Sequence, residues 1–136
     1  MNSVAHIEVN VLDIVKSVKF YSSFLGQLHW KKFDLRDSNV VGFGAPDGTH
    51  LFLVQTEQRF ISNTYHRKNV GLNHIAFRVE SMEVVDAFNK FLQDNRIPVL
   101  YSDGPKDYSS EYSREHYYAV FFEDPDRIKL EVVYYK

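Results

Sequence analysis

The segment HIEVNVLDIVKSVKFYSSFL returns as HIAFRVESMEVVDAFNKFLQ without a gap, at an offset of 74 − 6 = 68 residues. Under that offset His6 meets His74, Ile7 meets Ile75, Val11 meets Val79 and Phe20 meets Phe88, while Phe24 meets Leu92. The offset is half of the 136-residue chain, so the fold has to be built twice from one unit. A few apolar identities arise by chance. What gives the repeat weight is that both copies present the same structural signals in the same order. A chain of this length is also the usual size of one domain, so the copies are expected as modules, residues 1–62 and 70–136, of a single domain.

In the first copy, residues 4–11 alternate as a strand, with Ile7, Val9 and Val11 on one side and His6, Glu8 and Asn10 on the other. Asp13 can cap a helix over residues 14–25, whose apolar positions keep helical spacing, and Gly26 is expected to end it. Strands are expected at 28–35, 39–45 and 49–55, the last two joined by a turn at Pro46, Asp47 and Gly48, and a polar connection at 56–69. The second copy repeats this order: a strand at 72–79, a helix at 82–95 capped by Ser81, and a short strand at 97–101. Residues 102–115, polar and rich in Tyr and Ser, read as a long loop, a length common in lids and binding loops. Strands at 117–123 and 128–135, joined at Asp124, Pro125 and Asp126, close the chain. Each half is thus a βαβββ unit. The expected fold class is α+β, two such modules pairing into a cupped mixed sheet.

Composition narrows the chemistry. A 44% hydrophobic and 15% aromatic chain can supply a core. Its formal charge of −2 is spread without long blocks, which gives no reason to expect nucleic acid or anionic lipid as partner. There is no cysteine, so disulfides and thiolate sites are excluded, and any metal must be held by His, Asp or Glu. The amino terminus MNSVAHIEVN has no secretory pattern and no stretch suits a membrane span, so a soluble cytoplasmic protein is expected.

Side chains of equal parity share a strand face, which groups His6 with Glu8 and Asn10, and His74 with Ala76 and Arg78. Glu131 falls with Lys129, Val133 and Tyr135. A lone strand histidine is ordinarily a satisfied or exposed side chain, and Glu131 alone would be a surface carboxylate. The repeat changes that judgement, because equivalent strands of two facing units would bring His6 and His74 together. Two neutral imidazoles and a carboxylate satisfy a divalent ion such as zinc, nickel, iron or manganese, with positions left for water and substrate.

The segments AHIEVNVLDIVKSVKFYSSFLG, GLNHIAFRVES and YYAVFFEDPDRIKLEVVY resemble the vicinal oxygen chelate superfamily, which includes glyoxalase I, extradiol dioxygenases, fosfomycin-modifying enzymes and bleomycin-resistance proteins. The resemblance spans essentially the whole chain and implies the glyoxalase/dioxygenase fold. It also implies metal ligands at His6, His74 and Glu131. Glyoxalase I has a fourth ligand, on the last strand of the first unit. Aligning PDGTHLFL with PDRIKLEV puts Phe52 there, and phenylalanine cannot coordinate metal; His50, of the same parity, is a weaker substitute. The remaining His, His, Glu set is closer to the dioxygenase and fosfomycin-enzyme arrangement. Arg127 also departs from the family's usual Gly in this turn, where a left-handed backbone would cost Arg about 1 kcal/mol.

The resemblance implies a metal-dependent, glyoxalase-related enzyme of lyase or isomerase type, whose small substrate chelates the ion through adjacent oxygens. The alternatives are a ring-cleaving dioxygenase, a fosfomycin-type transferase, or a drug-binding resistance protein without catalysis. Glu131, Tyr118 and Glu8 are the expected catalytic groups. Arg114, Tyr112, His116 and Phe52 are expected at the substrate. Relatives often form homodimers, which the sequence leaves open.

Overall fold

The computed structural model describes residues 4–63 and 65–136; residues 1–3 of the expected first module and Thr64 of the expected connection lie outside the described residues. The chain divides into two compact units, Met1–Thr64 and Tyr65–Lys136.

The first unit runs β1 (His6–Val11), α1 (Ile14–Gln27), β2 (Lys31–Asp34), β3 (Val40–Gly44) and β4 (His50–Gln55), then a single 3-10 turn, Gln58–Phe60. Its sheet has the order β1-β4-β3-β2, with β1 parallel to β4 and the other pairs antiparallel. Alternation buries Val9, Val11, Phe43, Leu51 and Leu53, and α1 buries Tyr21, Phe24 and Leu25. Each such side chain contributes roughly 1.5 to 3 kcal/mol of apolar burial. The Asp13 carboxylate accepts from the Lys16 amide at 3.0 Å and so caps α1 as its sequence position suggests. The same junction is tied to the far strand by Gln55, whose Oε1 accepts from the Ile14 amide and whose Nε2 donates to the Leu12 carbonyl, both at 2.9 Å.

The helix does not stop at Gly26. It continues through Gln27, and the left-handed residue that closes it is His29, with φ 64°, while the Trp30 amide returns to the Leu25 carbonyl. Glycine favours helix ends only where the backbone must turn left-handed, and Gly26 sits one turn too early for that.

The second unit runs β5 (His74–Arg78), α2 (Met82–Asp94), β6 (Val99–Leu100), β7 (Lys106–Asp107), α3 (Ser109–Tyr112), β8 (Tyr117–Glu123) and β9 (Lys129–Tyr135). The sheet order is β5-β9-β8-β6, with β7 also on β8 and β5 parallel to β9. One face, carrying Ile75, Phe77, Val120, Phe122, Leu130 and Val132, is buried with Val85, Phe88 and Leu92 of α2. The Ser81 hydroxyl accepts from the Val84 amide. The segment expected to be a plain loop instead contains β7 and the single turn of α3. Each unit is therefore a βαβββ module with its own mixed sheet, and the fold class is α+β. Among the described residues no helix is long and apolar enough to cross a membrane.

Candidate functional site

The second unit's open face is fixed by register. Ala76 lies opposite Glu131, and Glu131 lies opposite Phe121, so one face carries His74, Ala76 and Arg78, then Lys129, Glu131, Val133 and Tyr135, then Tyr117, Ala119 and Phe121. Glu131 nevertheless has 0% exposure. Rings account for this. Tyr101 and Tyr108 pack edge-on to Phe121 at centroid distances of 5.5 and 5.4 Å, and Tyr112 of α3 stacks on Tyr117 at 4.0 Å. The 101–117 segment thus roofs a carboxylate that strand parity alone would leave in water.

A buried carboxylate is tolerable only when its lone pairs are answered. The Tyr117 hydroxyl donates to Glu131 Oε1 at 2.8 Å. Oε2 has no hydrogen-bond partner, yet lies 3.1 Å from His74 Nε2. Distance alone would make this an ion pair, but electrostatics argue otherwise. Burial lowers the His74 pKa, with Lys129 adding to the effect, and burial raises that of Glu131 against the Tyr117 hydrogen bond and Lys129. Both groups are pushed towards their neutral forms. His74 Nδ1 stands 2.7 Å from Asn73 Oδ1, while Asn73 Nδ2 donates to the Arg67 carbonyl, so the amide presents its oxygen and Nδ1 carries the imidazole proton. Nε2 then aims a lone pair at Oε2, and two lone pairs at this distance require something between them: the acid proton of a neutral Glu131 meets that requirement in the metal-free chain, and a cation would take the proton's place.

A divalent ion fits that requirement. Two donors each bonded at about 2.0 to 2.1 Å to one ion stand about 2.8 to 3.4 Å apart across the octahedral to tetrahedral range. The separation here is 3.1 Å. Asn73 on the far imidazole nitrogen and Tyr117 on the far carboxylate oxygen are the kind of outer contacts that orient metal ligands. Among the described residues no three His, Asp or Glu side chains are gathered by themselves into a metal site.

Tyr117, not Tyr118, is the tyrosine on this face. Tyr118 has the opposite parity, and its hydroxyl donates to Asp86 Oδ1 of α2 at 2.8 Å. Burial first, then Asp86, pushes its pKa up to about 12. Tyr118, expected among the catalytic groups, thus lies on the helix side of β8, opposite in parity to Tyr117 and Glu131, where Asp86 holds its hydroxyl. His116 also turns away, its ring lying 6.5 Å from that of Tyr134, a residue of the helix-side parity. Tyr112 and Arg114 stay with the Glu131 face, Tyr112 on Tyr117 and Arg114 with Cζ 4.3 Å from the Tyr135 ring centre.

In the first unit, His6 pairs with His50, and Glu8 pairs with Phe52. The equivalent pairs in the second unit are His74 with Lys129 and Ala76 with Glu131. Phe52 therefore occupies the register position of Glu131, and His50 that of Lys129. A carboxylate is still present on that face, displaced across the strand pair to Glu8. His6 meets Phe52 edge-on at 5.6 Å, and Phe33 packs against His50 and Phe52 at 5.7 and 5.9 Å. Phe33 lies over Gly42, where even a Cβ would collide with its ring.

Residues 3–132 match the family model for the Glyoxalase/Bleomycin resistance protein/Dioxygenase superfamily. The chain is 38% identical over 128 residues to "Uncharacterized protein YqjT" of Bacillus subtilis, covering 94% of this chain and 95% of that protein. It is similar to the crystal structure of a "putative glyoxalase" from Bacillus halodurans, with TM-score 0.80 and 36% identity over 96% of this chain and 94% of that one. The fold is shared with lactoylglutathione lyase from Agrobacterium tumefaciens, with TM-score 0.71, 18% identity, and 98% and 94% of the two chains covered.

Proposed function

The chain belongs to the Glyoxalase/Bleomycin resistance protein/Dioxygenase superfamily, and we propose that it is a metal-dependent, glyoxalase-related enzyme of lyase or isomerase type. Its substrate is a small molecule that offers two adjacent oxygens to the ion. One observation carries this reading: Glu131 Oε2 is buried, lacks a hydrogen bond, and lies 3.1 Å from a lone pair of His74.

His74 and Glu131 would hold the ion, with His6 as third ligand because the repeat makes it the counterpart of His74. A divalent ion bound there polarises the substrate oxygens and stabilises a developing oxyanion. Tyr117 keeps Oε1 occupied and Asn73 keeps the imidazole in the tautomer that frees Nε2. The Tyr101, Tyr108 and Tyr112 rings limit water around the carboxylate. Glu8, across from Phe52, is the proposed base. A cytoplasmic homodimer belongs to the same reading.

Elemental analysis of the purified protein tests the proposal. A stoichiometric ion is expected, lost in His74→Ala and in Glu131→Gln. A folded wild type that neither retains nor takes up an ion would overturn it in favour of a non-catalytic drug binder. Phe52 in place of a second carboxylate favours one further reading, a ring-cleaving dioxygenase. Oxygen consumption across a panel of catechols with the ferrous protein separates that from the lyase or isomerase assignment, and thiol addition to fosfomycin tests the transferase.

A further inference from the structure

Two guanidinium groups lie on the Glu131 face without a role in the proposed metal centre: Arg114, which the sequence places at the substrate, and Arg78. Arg78 follows Ala76 on β5 and lies opposite Val133, which places it on that face two positions from the row of Glu131. Its Nη2 donates to the Tyr135 carbonyl at 3.2 Å, and its Cζ stands 4.2 Å from the Tyr135 ring centre. Arg114, just ahead of β8, brings its own Cζ to 4.3 Å from the same ring centre. The two guanidinium carbons are therefore no further apart than the sum of these distances, 8.5 Å.

Among the described residues neither arginine lies within ion-pair distance of a carboxylate, whereas Arg59 has Glu57, and Arg67 and Arg127 share Glu123. The face offers them none. Glu131 is buried with its oxygens turned to Tyr117 and His74, and Glu123 is held by Arg67. Lys129, on the same face, is likewise beyond ion-pair distance of a carboxylate among these residues; it lies against the Tyr101 and Phe121 rings. Arg78 and Arg114 are held against one ring, that of Tyr135, where like charges repel each other, and an oxyanion bound by both guanidinium groups relieves that repulsion through charge-assisted hydrogen bonds. Aromatic contact and the Tyr135 carbonyl restrict the side chains in advance, which lowers the ordering cost of binding.

We infer that Arg78 and Arg114, with Tyr135 as platform, form an oxyanion subsite for a second, negatively charged group of the substrate, a carboxylate or a phosphate. Its assignment to the substrate rests on the metal reading of His74 and Glu131; its ability to bind an anion does not. The side-by-side Tyr117 and Tyr135 rings, 5.8 Å apart, join the two regions. Glu131 and Tyr135 are four residues apart on β9, about 13 Å of extended strand, which sets the scale of the substrate.

The metal-free full chain, labelled with nitrogen-15, is titrated separately with inorganic phosphate and with acetate while the arginine Nε signals are followed. Arg78→Gln and Arg114→Gln assign the two resonances. Both should shift, each substitution should weaken binding roughly tenfold, the scale of one charge-assisted contact, and the double variant should show no saturable response. The tighter anion identifies the substrate's charged group. Absence of a saturable shift in the wild type, or binding undiminished in the double variant, overturns the inference. So does loss of phosphate binding in His74→Ala/Glu131→Gln, since the anion would then belong to the metal pair. A wild type that binds phosphate but no metal overturns the proposed function and the assignment to its substrate, and leaves the anion site standing.

Discussion

Glu131 holds one oxygen in a hydrogen bond and leaves the other facing a histidine lone pair, so single substitutions around it have opposite meanings. Removing the Tyr117 hydroxyl strands Oε1 in a dry pocket. Tyr117→Phe should therefore lower the stability of the metal-free protein by about 1 to 3 kcal/mol, the cost of an unsatisfied buried acceptor, read as a lower urea midpoint at unchanged m-value. Tyr118, its neighbour, should behave as a structural hydrogen bond only. Its folded pKa is raised from 10.0 to about 12, so the contribution of the Tyr118 to Asp86 bond is fully present below pH 10 and is lost as the pH rises towards 12. Tyr118→Phe is expected to lose about 0.5 to 1.5 kcal/mol at pH 8, a gap that narrows at pH 11 in paired urea titrations, with metal uptake unchanged. A Tyr118→Phe protein that no longer takes up metal would return Tyr118 to the site.

At the scale of elements, the turn between β8 and β9 forces a residue with a Cβ into glycine's conformation. Arg127 has φ 65°, where the matching turn of the first unit has Gly48 at φ 89°. Asp124 holds the turn in place, its Oδ1 accepting from the amides of Asp126 and Ile128 at 2.8 Å each. Arg127→Gly should raise stability by up to about 1 kcal/mol, the left-handed penalty offset in part by the greater freedom of glycine in the unfolded chain. The exposed 3.6 Å contact of Arg127 with Glu123 is too weak to reverse that sign. Thermal unfolding of the two proteins decides it. Turns and long alternating strands of this kind are legible in sequence because their chemistry is local: Asp124, Pro125 and Asp126 mark the bend, and Tyr117 to Glu123 is read to its bounds. A two-residue strand such as β7 and a four-residue helix such as α3 carry no period to detect, so the roof over Glu131 is invisible. Without the roof, nothing in the sequence distinguishes Glu131 from a surface carboxylate, and nothing selects Tyr117 over Tyr118, since that choice depends on the face to which β8 commits its first residue. His74 with Glu131, by contrast, is legible through the family resemblance, which singles out Glu131 where residue type and strand parity do not.

For the whole molecule the repeat makes a quantitative demand. If two copies of one unit each supplied a complete ligand pair, the chain would bind ions by halves. The registers break that equivalence, because Glu131 has Phe52 as its counterpart and Lys129 has His50. Among the described residues only the second unit has the histidine on its first strand and the carboxylate on its last; in the first unit the diagonal is reversed, with Glu8 on β1 and His50 on β4. One ion per chain is therefore expected, and the proposed third ligand, His6, can be weighed without knowing the substrate. Manganese titrations followed by calorimetry should give a stoichiometry near one, with binding abolished or weakened by at least about tenfold in His6→Ala as in His74→Ala, and unchanged in His50→Ala. The free-energy difference for such a tenfold loss is about 1.4 kcal/mol, well within calorimetric resolution. Wild-type affinity in His6→Ala would remove the first unit from the metal site and leave His74 and Glu131 to act with some other third donor. Two ions per chain would mean that Phe52 is no barrier, and that Glu8, across the strand pair, has taken over the missing carboxylate's work.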